Sequence, residues 1–228
     1  MNKDNIIMDK SEVLRYMGYK GQKIDDILDK TIDSAIEEIK EISNPKYIYK
    51  DYSLGKTDGI ITFENSSISL SGNSINKHLK NSTIAVVMSA TLGNIVDAKI
   101  RYYEKIDMQK AIILDACATE FIEKICDYVE EEIRDKFKNQ GRITFRYSPG
   151  YGDLTLDCQK SIIESLRADK FIGLTCNRCN LLIPRKSVTA IIGIVDNGKD
   201  ISNIKGCEYC KLNKTCAFRK GGKVCGNR

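Results

Sequence analysis

The sequence has no long hydrophobic run, little net charge and only one histidine. No stretch approaches the run of about 18 apolar residues that a membrane-spanning helix requires, so we expect no membrane span. Residues 1–4 are polar and lack the apolar core of a signal peptide, which predicts a cytoplasmic protein. The single histidine, His78, stands among Asn76, Lys77 and Lys80. We expect it at the surface, with neither a catalytic nor a ligand-binding role.

The net charge of +5 is spread over most of the 228 residues, so we expect no nucleic-acid partner. Residues 205–228 are the exception, because Glu208 is the only acid among seven basic residues. This tail either meets an acidic partner or is a solvated segment with little packing. Its basic residues are Lys205, Lys211, Lys214, Arg219, Lys220, Lys223 and Arg228.

The composition is that of an ordinary globular protein, with 42% hydrophobic and 29% charged residues, and the length suffices for one substantial core. Stretches with helical spacing of apolar residues are interspersed with short strand-like runs, often paired as hairpins. We predict an α+β fold, in which residues 1–196 form a single domain with a largely antiparallel twisted sheet packed by helices. Apolar content falls sharply after Asn197, so residues 197–228 are predicted to form a small Cys-rich knob.

Capping and turn signals bound the predicted elements. Ser11 and Ser74 are the predicted N-caps of two short helices, and Pro45 follows the end of a long one. The predicted helices are 11–18, 22–42, 74–79, 92–105, 108–138 and one after residue 157. The predicted strands are 47–52, 60–63, 68–70, 83–89, 142–145, 172–175 and 188–195.

The most informative stretch is 146–153, Arg-Tyr-Ser-Pro-Gly-Tyr-Gly-Asp, between a predicted strand and a predicted helix. Pro149 fixes one backbone angle, whereas Gly150 and Gly152 allow conformations that a Cβ would forbid and let a ligand approach the main chain. Arg146 carries a planar, charged group suited to a carboxylate. Composition alone leaves two possibilities, a tight turn or a loop that holds a small molecule.

Three motifs favour the second possibility. Arg-x-x-x-Gly-Tyr, after a long helix and a short strand, resembles the S-adenosylmethionine-binding loop of the activation domain of cobalamin-dependent methionine synthase, and the longer string is similar to that of stand-alone proteins of this family. Residues 84–93 resemble the strand and turn before the family's central helices, and residues 183–193 resemble its Pro-x-x-Ser-Val strand. The motifs stand in family order, and the resemblance spans residues 11–196.

The resemblance implies an S-adenosylmethionine site and a fold of the same α+β kind. Arg146 would hold the carboxylate of the ligand, and Ser148 and Gly150 would contact the ligand through the backbone. Tyr151 would lie towards the corrin face, as the residue nearest the chemistry. The family also departs from this sequence, because an acidic contact of the family falls at Gln140 and a proline falls at Gly152, so the pocket is expected to be reshaped.

Glu120 stands in the apolar arc of the longest predicted helix. A buried carboxylate is costly, so it needs a partner or a bound ligand. The residues alone leave open a ligand contact or a structural ion pair with an arginine. In the resembled family a glutamate on this helix contacts S-adenosylmethionine, which favours Glu120, with Glu123 as the alternative. Asp115, on the same helix, is expected to be a buried hydrogen-bonding group between helices.

Four cysteines in the tail, Cys207, Cys210, Cys216 and Cys225, suit a thiolate cage for zinc or an iron–sulfur cluster. The spacing does not decide between them, although its irregularity favours iron–sulfur. Metal coordination would supply the folding energy that a segment with few apolar residues lacks.

The other five cysteines receive weaker interpretations. Cys176 and Cys179 form a C-x-x-C pair that could complete a metal site, act as a redox pair or be two half-buried thiols. Cys117, Cys126 and Cys158 are expected in the core.

The leading hypothesis is a stand-alone activation subunit that binds S-adenosylmethionine and remethylates the cob(II)alamin of a partner methionine synthase or corrinoid methyltransferase. The electron would come from a flavodoxin or ferredoxin. Two alternatives are an iron–sulfur electron-transfer module and a zinc-bearing interaction module that uses its basic tail.

Overall fold

The computed structural model describes residues 1–197, which contain seven α-helices and eight strands. The helices are α1 (Lys10–Tyr16), α2 (Asp26–Ile42), α3 (Asn73–His78), α4 (Asn94–Ile106), α5 (Met108–Phe137), α6 (Gln159–Leu166) and α7 (Ala168–Phe171). The strands are β1 (Lys46–Thr57), β2 (Ile60–Phe63), β3 (Ser69–Ser71), β4 (Ser82–Thr91), β5 (Arg142–Ile143), β6 (Thr175–Cys176), β7 (Leu182–Ile183) and β8 (Ser187–Val195).

The chain divides into two compact units. The first is mainly helical, and the second contains most of the large sheet. The first comprises Met1–Ile48, Ser89–Glu130 and Ala168–Val188, and the second comprises Tyr49–Met88, Glu131–Arg167 and, of the described residues, 189–197.

The sheet has six strands in the order β3-β2-β1-β4-β8-β5. The pairs β1–β2, β2–β3 and β5–β8 are antiparallel. Strands β4 and β8 are buried along most of their length, as expected for continuous apolar runs at the centre of a sheet. The predicted α+β fold, with a largely antiparallel sheet packed by helices, is confirmed.

Helices of the first unit follow their hydrophobic periodicity. Helix α2 buries one apolar face, formed by Ile32, Ala35, Ile36 and Ile39, and packs against α4. It begins at Asp26, later than the predicted residue 22, because Asp25 caps it by accepting the Leu28 N–H at 2.7 Å. Helix α5 is 30 residues long. Even so, none of the helices between residues 1 and 197 is both long and apolar enough to cross a membrane.

Both predicted serine caps are wrong. Helix α1 is capped by Asp9, whose carboxylate accepts the Ser11 N–H at 2.8 Å. The Asp9 carboxylate, two residues earlier in the chain, therefore takes the capping role predicted for Ser11. Helix α3 begins at Asn73 after Gly72, which has no side chain to cap it, so Ser74 is already inside the helix.

Two further predictions are corrected by local geometry. The predicted strand 172–175 is displaced: only Thr175 is in a strand, β6, because Gly173 turns the chain with φ of +70° between the buried side chains of Ile172 and Leu174. His78 is not at the surface but 1% exposed, because Ile75, His78 and Leu79 share the buried face of α3.

Candidate functional site

The loop 146–153 lies in the second unit and is anchored at its start to the sheet. The N–H groups of Tyr147 and Ile191 each donate to the carbonyl of the other, at 3.0 and 2.9 Å, so the antiparallel pairing of β5 with β8 continues into the loop. Residue 147 is therefore fixed by a strand-like bridge, whereas the residues after it leave the sheet.

The loop then folds back on itself. Gly150 donates its N–H to the Leu154 carbonyl at 2.8 Å, and Tyr151 donates to the Ser148 carbonyl at 3.0 Å. Gly150 and Gly152 have φ of +92° and +55°, backbone conformations that favour glycine, as predicted. Because the Gly150 N–H is already used, this residue can offer a ligand its carbonyl oxygen and a close approach, but not a free donor.

The aromatic residues of the loop have opposite environments. Tyr147 is buried, and its hydroxyl donates to the Tyr151 carbonyl at 3.2 Å. Burial, together with the charge of Asp153, raises the pKa of Tyr147 above its ordinary value. The side chain of Tyr151 is 53% exposed, with its ring 5.8 Å from that of Tyr147 between centroids. Tyr151 therefore presents an aromatic face and a hydroxyl to an incoming molecule.

Arg146 and Ser148 are half-buried, between these anchored and exposed positions. Arg146 lies three residues after the end of β5 and directly before the bridged Tyr147, so its backbone is held on the Tyr147 side. A half-buried guanidinium on a fixed backbone is suited to a carboxylate.

Asp153 ends the loop and contacts the start of α3. Its carboxylate accepts the N–H of Asn73 at 2.7 Å and of Ser74 at 3.0 Å. Burial acts to raise the pKa of Asp153, but the hydrogen bonds from Ser74 and from the Asn73 backbone outweigh it, so the pKa lies below its ordinary value. The carboxylate therefore stays charged at neutral pH.

Glu120 belongs to α5 in the first unit and is fully buried. Its Oε1 accepts the backbone N–H of Asp9 at 3.3 Å and lies 3.6 Å from the Nζ of Lys124. The pKa of Cys117 is raised to about 12, mainly because the thiol is buried and also because of the negative charge of Glu120. The sequence-based role of Glu120 as a ligand contact stays a prediction, and so does the alternative at Glu123.

Asp115 does not have its expected environment. Its side chain is 42% exposed, and Oδ1 lies 2.9 Å from the Nζ of Lys186. Lys186 also donates to the Thr119 hydroxyl at 2.8 Å. The prediction of a buried hydrogen-bonding group between helices is therefore wrong, because the carboxylate is partly exposed and pairs with Lys186.

Asp115 also lines a surface groove of about 440 Å³ in the first unit. Apolar residues of α4 and α5, such as Ile100 and Ala111, share its wall with the charged Glu104 and Arg185. None of the predicted ligand-binding residues lines this groove.

The described cysteines separate into two groups. Cys117, Cys126 and Cys158 are buried, which confirms their predicted place in the core. Burial raises the pKa of the Cys158 thiol to about 11, so this thiol, like that of Cys117, is unreactive at neutral pH. Cys176 is half-buried and Cys179 is exposed, and both are free thiols.

No cluster of three or more histidine, cysteine, aspartate or glutamate side chains that could hold a metal ion occurs within residues 1–197. The predicted ligands Cys207, Cys210, Cys216 and Cys225 lie outside the described residues. The predicted domain boundary between residues 196 and 197 stays a prediction.

No family model and no curated protein matches the chain. Its structure is similar to the crystal structure of the MetH reactivation domain bound to AdoHcy, with a TM-score of 0.60 and 13% identical residues. The likeness covers 87% of this chain and 73% of that chain. It confirms the predicted activation-domain fold, and at this level of identity it bears on the fold alone.

Asp153 is the residue whose role sequence reasoning missed. The motif included it, but its hydrogen bonds to Asn73 and Ser74 join residues about 80 positions apart. One signal was available: a helix that starts after Gly72 has no side-chain cap of its own, so its first N–H groups need an acceptor from elsewhere.

Proposed function

We propose that this protein binds S-adenosylmethionine at the loop 146–153 and serves the reductive remethylation of a corrinoid held by a partner protein. The observation that carries the proposal is the loop itself, with its two positive-φ glycines, half-buried Arg146 and exposed Tyr151. The activation-domain fold supports it, because the similar structure is bound to AdoHcy, the molecule that S-adenosylmethionine becomes after losing its methyl group.

The residues of the loop fit the chemistry of this ligand. Arg146 binds the carboxylate of the amino-acid part through charge-assisted hydrogen bonds. Gly150 and Ser148 contribute carbonyl oxygens and allow close approach, and Tyr151 covers the exposed side towards the corrin. S-adenosylmethionine supplies a methyl group on a sulfonium, which passes to the one-electron-reduced corrinoid and leaves AdoHcy as a neutral thioether.

The partner is proposed to be a corrinoid-binding methionine synthase or another corrinoid methyltransferase. A flavodoxin or ferredoxin is proposed to supply the electron. On this proposal the chain is an activation subunit, and it orients the methyl donor rather than carrying the cobalt.

Calorimetry with S-adenosylmethionine and AdoHcy tests the proposal. Arg146→Ala should weaken binding by about 1.5–3 kcal/mol, the scale of a hydrogen bond to a charged group, which corresponds to roughly 10- to 150-fold in Kd. Arg142→Ala, which removes an exposed arginine four residues earlier, is the control and should leave Kd unchanged. Absence of binding by the natural protein at millimolar ligand refutes the proposed function.

The same titration decides the role of Glu120. If its carboxylate contacts the cationic or hydroxyl side of the ligand, Glu120→Gln should weaken binding by about 1–3 kcal/mol. If this variant stays folded by circular dichroism and binds as tightly as the natural protein, the Glu120 carboxylate serves structural contacts such as that with Asp9 rather than the ligand.

We propose in addition that Cys207, Cys210, Cys216 and Cys225 hold zinc or an iron–sulfur cluster. Elemental analysis of anaerobically purified protein should give iron and sulfide, or zinc, in stoichiometric amount. Replacing Cys210 by Ser should lower that content, since four thiolates complete either site. A metal-free preparation from metal-replete, reducing conditions contradicts the proposal.

A further inference from the structure

Helix α3 is only six residues long, too short to be stable by its own hydrogen bonds. Gly72, at its N-cap position, offers no side-chain acceptor. The acceptor comes instead from Asp153, whose two carboxylate oxygens bind the N–H groups of Asn73 and Ser74 separately, at 2.7 and 3.0 Å. A negative charge at this end is also favoured by the helix dipole.

The opposite end of α3 is capped by a distant positive charge. The ammonium of Lys56, on β1, donates to the carbonyls of Lys80 at 3.0 Å and Ser82 at 2.6 Å, and also to that of Leu79. Leu79 is the C-cap residue of α3, and Lys80 and Ser82 follow it, so the ammonium lies just past the C-terminal end of the helix, where a cation complements the dipole. Opposite charges thus hold both ends of a helix that could not stand alone.

The buried side of α3 contacts the segment that leads into the loop. His78 Nε2 lies 2.9 Å from the Thr144 hydroxyl, which also accepts the Gly193 N–H at 2.8 Å. The His78 ring lies 4.6 Å from the ring of Phe145 and 4.8 Å from that of Tyr147, between centroids. Helix α3 therefore contacts both ends of the loop, through His78 at the start of the loop and through Asn73 and Ser74 at Asp153.

The fit at the exit leaves no spare room. A Cβ on Gly152 would lie 2.6 Å from the Ser74 hydroxyl and closer still to that of Tyr147. A Cβ on Gly72 would lie 2.9 Å from a carboxylate oxygen of Asp153. The exit of the loop and the start of α3 are therefore in direct contact at these two glycines.

We infer that α3 is a platform that holds the loop 146–153 in its ligand-binding conformation before the ligand arrives, with Asp153 as the positioning residue. This inference rests on the proposed function of the loop. A loop already fixed in the bound conformation loses less conformational freedom on binding, so the ligand binds more tightly. Asp153 acts through the backbone of Gly150 and Tyr151 and does not touch the ligand.

The first measurement needs no ligand. Hydrogen–deuterium exchange reports on the amides of Gly150 and Tyr151, which are hydrogen-bonded within the loop. Asp153→Ala should speed their exchange by about tenfold, the effect of losing one helix-cap-sized interaction. Asp157→Ala, which removes the next carboxylate along the chain, should leave it unchanged. Exchange that is equally slow in Asp153→Ala overturns the inference.

The second measurement separates positioning from general stability. Asp153→Ala should weaken S-adenosylmethionine binding by about tenfold, and Asp153→Asn, which keeps one acceptor oxygen, by about threefold. Gly173→Ala, in the first unit, strains a backbone with φ of +70° and serves as the stability-matched control outside α3 and the loop. It should lower the melting temperature with Kd changed by less than about twofold.

Binding that falls only in proportion to melting temperature, in Gly173→Ala and Asp153→Ala alike, overturns the positioning role. If the natural protein binds neither S-adenosylmethionine nor AdoHcy, the proposed function fails. Faster amide exchange in Asp153→Ala would then still support the platform, and unchanged exchange would overturn it, so the two failures are distinguishable.

Discussion

The loop 146–153 and the hairpin of β6 and β7 both turn the chain within a few residues, but they are held in different ways. The hairpin is closed by its own Asn177, whose side chain accepts the N–H groups of Cys179 at 2.9 Å and Leu181 at 3.0 Å. The loop is held by its own Asp153, which accepts hydrogen bonds from the start of α3, some 80 residues earlier in the chain. A locally closed turn can move without disturbing the fold, whereas a turn fastened by distant groups is as rigid as the structure to which it is fastened.

The largest expected effect is at the tightest point of the loop. Gly152→Ala should reduce the free energy of unfolding by about 2–5 kcal/mol, from a strained backbone and from overpacking against Ser74. Gly173→Ala, just before the hairpin, is the matched control: it also has positive φ, but nothing lies within 4 Å of the added Cβ. It should lose only the backbone contribution, about 1–2 kcal/mol. Urea unfolding measures both, and equal losses would break the comparison.

The second prediction concerns acid. Burial lowers the pKa of His78 to about 4 in the folded protein, against an ordinary value of 6.5. As the pH falls, His78 is therefore protonated in the unfolded chain before it is protonated in the folded protein. The stability present above pH 6.5 is lost as the pH falls towards 4, by about 2–3 kcal/mol at pH 4.5. Urea unfolding at pH 7.5 and pH 4.5 should show a smaller difference in His78→Leu than in the natural protein. The carboxylates titrate alike in both, so the same difference in the two proteins would contradict the prediction.

The smallest effect is expected in the hairpin. Asn177→Ala should reduce global stability by about 0.5–1.5 kcal/mol at most, because the two hydrogen bonds that it removes are exposed and local. Amide exchange should accelerate at Cys179 and Leu181, and S-adenosylmethionine binding should be unaffected. A variant that unfolds globally would show that the hairpin is coupled to the fold as tightly as the loop.

Sequence periodicity predicted the parts of the fold that depend on neighbours along the chain. The buried stripe of α2 and the continuous apolar run of β8 both gave elements of the right type, because their spacing is set by helix and strand geometry. The two glycines of the loop were expected to allow conformations that a Cβ would forbid, and both have positive φ, since this freedom is a property of the residue itself.

Other predictions failed because they depend on contacts between distant residues or on which face of a helix a residue occupies. Ser74 was predicted as a cap because no sequence pattern shows that Asp153, 80 residues later, accepts the Asn73 N–H. His78 was assigned to the surface from its polar neighbours, although its spacing from Ile75 places it on the buried face of α3. The environment of Glu120 likewise depends on Asp9, 111 residues away.

The sheet described above ends in two very short strands, β3 with three residues and β5 with two. A long exposed edge would offer a row of unpaired N–H and C=O groups on which another chain could add a strand. Edges of two and three residues give such an addition few hydrogen bonds, so they provide little template for self-association. The protein should accordingly resist the growth of intermolecular β-structure when it is concentrated in the folded state.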